Sequence, residues 1–159
     1  MVSLVLTILP QYLMYLDFSK TLSETFMNAT INWINRMKFI GESDTGHIVP
    51  IDASVKFGGD NLAPTPMEMV LIGLGGCTAM DVVKILKKSR QMIEDCTVQL
   101  KAEQHSEPPT VFTKIHLHYV ITGRNISLDH VVKAIDLSGE KFCSVSKMIE
   151  HTARITRDF

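Results

Sequence analysis

"MEMVLIGLGGCTAMD", residues 67–81, is the stretch that decides the fold. Just ahead of it Thr65 is a good N-cap residue, Pro66 suits the first helical position and Glu68 at the third closes a capping box. This spacing predicts a helix that opens at Thr65 and runs to about Ser89. Its first half, from Met67 through Met80, is apolar on every side, which predicts burial all round. Its second half is amphipathic, with Asp81, Lys84 and Lys88 on one face and Val82, Val83, Ile85 and Leu86 mostly on the other. One chain's thin sheet can hardly cover such a helix, so an obligate homodimer with a large hydrophobic interface is expected.

Cys77 sits behind three glycines in this run and admits two readings. Cysteine packs as a small hydrophobe, or it is a reactive thiol in an apolar niche. A nucleotide-binding reading of the glycines fails. Gly73-Leu74-Gly75-Gly76-Cys77-Thr78 carries Thr78 where G-x-G-x-x-G needs a third glycine, it lacks G-K-[ST], and the helix signal precedes the glycines. Each helical glycine costs roughly 1 kcal/mol relative to alanine. Gly73, Gly75 and Gly76 are therefore expected to admit another element, or a substrate, close beside Cys77.

Outward from the helix, "ATINWINRMKFIGES" (29–43) and "GHIVPIDASVKF" (46–57) read as strands separated by a turn-rich "ESDTG", and "GGDNLAPTP" (58–66) as a loop. Downstream, "CTVQLKAEQH" (96–105) and "VFTKIHLHYVIT" (111–122) alternate as strands, with Ile115, Leu117 and Tyr119 on the face opposite Lys114, His116 and His118. Ser127 is placed to cap a helix carrying Leu128, Val131, Val132 and Ile135 on one stripe. "EKFCSVSKMIEH" (140–151) suggests a short helix beginning near Cys143, and "TARITRDF" a last strand. The order is α+β, without the alternation of βαβ units.

The chain has 159 residues, 45% of them hydrophobic and 21% charged, and a net charge of −1, which suits an ordinary globular protein and gives no footprint for nucleic acid. Residues 1–26 begin with an apolar run over 1–19. However, no Lys or Arg precedes Lys20 and Pro10 interrupts the run, so they read as an extension ahead of a 27–159 domain rather than a signal peptide or membrane anchor. The three cysteines, Cys77, Cys96 and Cys143, have neither zinc-finger spacing nor the pattern of a secreted disulfide framework, and a cytoplasmic location is expected. Cys96 follows Glu94 and Asp95, neighbours that oppose a thiolate and favour a structural role. Cys143 lies at a predicted helix start beside Lys141, both of which favour a thiolate, with core packing as the alternative. His116-Leu117-His118 offers two imidazoles on one strand face, yet no third ligand lies at a telling spacing; a solvated face is the plainer reading, and neither a metal nor a cofactor is expected.

"NLAPTPMEMVLIGLGGCTAMDVVKIL" (61–86), together with "IDLSGEKFCSVSKMIE" (135–150), resembles the OsmC/Ohr family of thiol peroxidases, particularly its YhfA-like branch, over roughly residues 28–159. The resemblance implies an intertwined homodimer in which a long central helix packs against antiparallel sheets, with active sites at the subunit interface. It also implies reduction of organic hydroperoxides, with Cys77 as peroxidatic and Cys143 as resolving cysteine, and an external dithiol reductant of the lipoyl type. Met67, Met80 and Phe142 would line an apolar substrate pocket. In peroxidase members of the family an acid ten positions before the peroxidatic cysteine holds an arginine on the thiolate; here that position is Met67, and Glu68 is one residue on. A one-residue step turns a helical side chain by about 100°, so Glu68 either approaches from another direction or only caps the helix. Arg36, read as lying on the first strand, is the candidate arginine. A non-catalytic small-molecule or thiol-binding module on the same fold is the competing function.

Overall fold

In a computed structural model, residues 26–159 are described. The expected N-terminal extension, save its last residue, lies outside the described residues. The chain runs β1 (Ala29–Asn35), β2 (Lys38–Ser43), β3 (Ile48–Ile51), a 3-10 turn (Val55–Phe57), α1 (Pro66–Lys88), β4 (Met92–Gln104), β5 (Phe112–Arg124), α2 (Leu128–Leu137), a π turn (Ser138–Phe142), α3 (Ser144–Ile149) and β6 (Arg154–Asp158). The architecture is α+β with a long central helix, as the patterning predicts.

The helix opens as its sequence dictates. Thr65 Oγ1 accepts from the Glu68 backbone N–H at 3.3 Å, and Glu68 Oε2 accepts from the Thr65 N–H at 2.7 Å, completing the capping box. α1 lies against β4 and α2 and buries Leu74, Gly75, Thr78, Val82 and Leu86. Gly75 is where sheet and helix meet most closely: a Cβ there would sit 2.8 Å from Leu100 Cδ1 of β4. Gly73 and Gly76 have nothing within 4 Å of a Cβ position, so the expected close approach holds at one glycine of the three within the chain.

The first half of α1 is not buried all round by its own chain. Val70, Ile72 and Met80 are exposed, Met80 at 75%. Length and hydropathy alone would also let this helix cross a membrane, but its capped start and packed inner face are those of a core helix.

β4, β5 and β6 form one sheet. β4 and β5 are antiparallel over a long register from Met92↔Arg124 to Gln104↔Phe112, and β6 joins β5 in parallel after the crossover through α2 and α3. Ile115, Leu117 and Tyr119 point inward and are at most 1% exposed, as the alternation predicts. β1, β2 and β3 form a second antiparallel sheet. Its Ile31, Trp33, Ile34 and Ile48, and Met37 in the β1–β2 turn, are exposed apolar side chains.

The first strand-like stretch is interrupted at Arg36 and Met37, where the chain turns between β1 and β2; Arg36 takes the left-handed conformation (φ 46°) and is a turn residue rather than a strand residue. Nothing in "NRMK" marks this as strongly as an Asn-Gly pair would. Ser127 holds the N-cap position of α2 without a side-chain capping bond; its backbone N–H donates to Gln91 Oε1 at 2.8 Å.

Candidate active site

Three turns into α1, Cys77 and Asp81 stand one above the other at i and i+4, on one face of the helix. The π turn after α2 brings Cys143 across to them. The two sulfurs and an Asp81 carboxylate oxygen lie within 4.8 Å of one another. Cys143 is fully buried and is the N-cap of α3, its sulfur accepting from the Ser146 backbone N–H at 3.4 Å. Cys77 is only partly buried, so of the two thiols it is the one a solute can reach.

The surroundings set the Cys77 thiol above its ordinary value. Burial is the largest cause; a hydrogen bond with Cys143, that sulfur's charge and the nearby Asp81 act in the same direction, and the backbone N–H of Val145 pulls the other way. Cys96 is also raised, first by burial and then by Asp95.

A chain of buried hydroxyls adjoins the thiols. Tyr119 OH and Thr78 Oγ1 are 2.6 Å apart, Thr78 Oγ1 and Ser138 Oγ 2.9 Å, and Ser138 Oγ donates to Asp81 Oδ2 at 3.3 Å. Burial raises the Tyr119 phenol, partly offset by Thr78 and by Arg157. The Arg157 guanidinium lies under the π turn. Its Nη2 donates to Ser146 Oγ at 3.3 Å, while its buried Nε has no hydrogen-bond partner among the described residues. Gly139 leaves room for it, since a Cβ at that position would be 2.5 Å from Arg157 Cζ.

Thus the structure brings together Cys77 and Cys143, while Glu68, Arg36 and Met67 make contacts elsewhere. Glu68 is engaged by Thr65 N–H and Oγ1, bonds that lower its pKa, and lies nine residues, or about 13 Å of helix rise, before Cys77. Arg36 forms an ion pair with Asp60, and no arginine is among the charges that shift Cys77. Met67 lines a groove with Phe112 and Ala102 at the helix start, about 15 Å along the axis from Cys77. Met80 and Phe142 are both substantially exposed within the chain. A larger cavity of about 590 Å³ between residues 61–64, α1 and Leu100 contains none of these three side chains.

His116 and His118 face outward on β5, as their alternation predicts, and both meet the β6 carboxylate of Asp158, at 3.3 and 2.6 Å. Asp158 is held below the usual carboxylate range, chiefly by its hydrogen bond from His118. Sequence reasoning missed Asp81, Thr78, Ser138, Tyr119 and Arg157 as neighbours of the thiols. The i, i+4 spacing from Cys77 was the signal available for Asp81; for Arg157 the signal was its alternation with Ile155, which puts it on the inner face of β6.

The family model described as OsmC-like protein matches residues 58–157. Protein YhfA of Escherichia coli K12 is 46% identical over 133 residues, covering 84% of this chain and 96% of that protein. The crystal structure of a hypothetical protein from Aquifex aeolicus VF5 superposes with a TM-score of 0.72 at 26% identity, covering 85% of this chain and 96% of that one. That of a Legionella pneumophila organic hydroperoxide resistance protein OsmC, described as a predicted redox protein, superposes with a TM-score of 0.65 at 18% identity, covering 87% and 97%; at that identity the likeness is one of fold.

Proposed function

Because the chain belongs to the OsmC-like protein family, whose members point to redox or peroxide-related chemistry, we propose that it is a cytoplasmic, cysteine-based peroxidase for organic hydroperoxides. The observation that carries this reading is the convergence of one accessible and one buried thiol, Cys77 and Cys143. The Cys77 thiolate attacks the outer peroxide oxygen, the O–O bond breaks, and the alkoxide takes a proton to leave as alcohol, with Cys77 as sulfenic acid. The Cys143 thiol then displaces the sulfenic oxygen as water and forms the disulfide. An external dithiol of the lipoyl type reduces that disulfide by two exchange steps and is itself oxidised.

The working unit in this reading is a homodimer. The exposed apolar residues of β1–β3 and of the outer flank of α1, including Trp33 and Ile72, support it, because apolar surface of that extent is normally covered. Met80 and Phe142, exposed in one chain, would then join a substrate pocket at the interface, and Arg36 and Met67 could enter a site only from the second copy.

The test is thiol counting on reduced protein treated with one equivalent of cumene hydroperoxide. Loss of two thiols, with peptide mapping that finds Cys77 joined to Cys143, is the expected result. Cys143→Ser should stop at a sulfenic acid on Cys77. No loss of thiol, or loss confined to Cys96, would overturn the reading. One observation favours the alternative of a binding module without turnover: the thiol that would attack is raised rather than lowered, first by burial and also by the Cys143 sulfur and Asp81 beside it. Rapid alkylation of Cys77 together with inertness to hydroperoxide would identify that case.

A further inference from the structure

Two sulfurs and a carboxylate within 4.8 Å of one another form a set of donors that redox chemistry alone does not require. The Asp81 charge opposes the Cys77 thiolate rather than stabilising it. The same trio suits a soft cation. In a tetrahedral thiolate site, metal–sulfur bonds of about 2.3 Å place two sulfurs about 3.8 Å apart, so closing these three atoms on an ion needs movement of no more than about 1 Å. We propose that the reduced protein binds one Zn²⁺ through Cys77, Cys143 and Asp81, leaving a fourth position for water on the partly exposed side of Cys77. Two thiolates select Zn²⁺ over Mg²⁺ or Ca²⁺, which take oxygen ligands.

The surroundings are built for this set of ligands. Ser138 Oγ donates to Asp81 Oδ2 and orients the carboxylate. The backbone N–H of Ser146 donates to Cys143 Sγ, a donor that stabilises a bound thiolate. Binding forms two Zn–S bonds and one Zn–O bond and releases two thiol protons, so one dication replaces two protons. A Cys77–Cys143 disulfide offers no thiolate, so metal and disulfide exclude each other. The inference needs only reduced thiols and holds whether or not the pair turns over peroxide.

Reduced, chelator-treated protein would be titrated with Zn²⁺ in competition with a chromophoric chelator, with proton release followed in weak buffer. The expected result is one Zn²⁺ per chain and about two protons released near neutral pH. Asp81→Asn should weaken binding at least 10-fold, on the scale on which ligand-shell changes act, and Cys77→Ser should abolish tight binding. Cys96→Ser should bind as wild type does. Wild-type protein oxidised to the Cys77–Cys143 disulfide should bind nothing, which tests the site without any substitution. Equal affinity in wild type and Asp81→Asn, loss of binding in Cys96→Ser, or full binding by the disulfide form would overturn the proposal.

Discussion

The two ends of the central helix's apolar half use their polar groups in opposite ways. At Thr65–Glu68 every polar side chain bonds back to the helix's own first turn. At Cys77–Asp81 the polar side chains bond outward: Thr78 to Tyr119 on β5 and to Ser138 in the π turn, and Asp81 to Ser138. The first arrangement satisfies an orphan backbone group locally and ties Glu68 Oε2 to Thr65 at the helix start. The second ties two separate elements, β5 and the π turn, to one helical turn. A carboxylate near a cysteine in sequence is therefore a candidate for its chemistry only when the local backbone has not already claimed it. By that test Glu68 is held by the cap, whereas Asp81 stands beside the two sulfurs.

Substitutions at the two ends should separate them, the largest effect first. Cys77→Ser is expected to abolish consumption of organic hydroperoxide, measured with the lipoyl dithiol as reductant, because no other partly exposed thiol has a second sulfur beside it. A variant retaining even a tenth of wild-type turnover would break the assignment. Thr78→Val deletes two buried hydrogen bonds and strands Tyr119 OH. It should cost about 1–3 kcal/mol in urea unfolding, whereas Thr65→Ala at the other end should cost about 1 kcal/mol, as N-cap losses do.

Ionisation gives a smaller contrast. The Cys77 pKa is raised, so at neutral pH the thiolate is scarce, and the alkylation rate should still be climbing as pH passes the ordinary thiol value of about 8.5. A rate that plateaus below that value would show a cation at the thiol. Asp81→Asn removes one of the causes of the upward shift and should speed Cys77 alkylation at pH 7 severalfold, the opposite in sign to its effect on Zn²⁺ affinity. Least of all, Glu68→Gln should leave the oxidation rate unchanged and stability within about 0.5 kcal/mol, since glutamine also closes the box. A marked fall in rate would bring Glu68 back into the site.

Much of this arrangement was legible from residues alone. "TPME" specified the start of α1, and strict alternation specified the inward Ile115, Leu117 and Tyr119. The two cysteine motifs marked the thiols. Arg36 was not legible, because its departure to positive φ depends on how β1 and β2 register rather than on a turn dipeptide. The exposure of Val70, Ile72 and Met80 escaped composition, which reports how apolar a helix is and not which chain covers it. Arg157 stayed hidden although alternation puts it on the face of Ile155, across from the inward Leu117, because nothing in the sequence shows that a glycine in the π turn leaves room for its guanidinium.

The parallel pairing of β6 with β5 also imposes an order in time. β4 and β5 close a hairpin between near neighbours, a microsecond event in isolation, while His116 meets Thr156 across 40 residues of chain. Such non-local pairing forms late, since loop closure precedes its reward. Cys143 and Arg157 arrive with that late crossover, so for part of every folding event Cys77 faces solvent with neither its partner sulfur nor its polar surround. Refolding under oxidising conditions should therefore trap Cys77 with Cys96 or with small thiols, and pulse labelling during refolding should find Cys77 reactive after the β4–β5 amides are already protected.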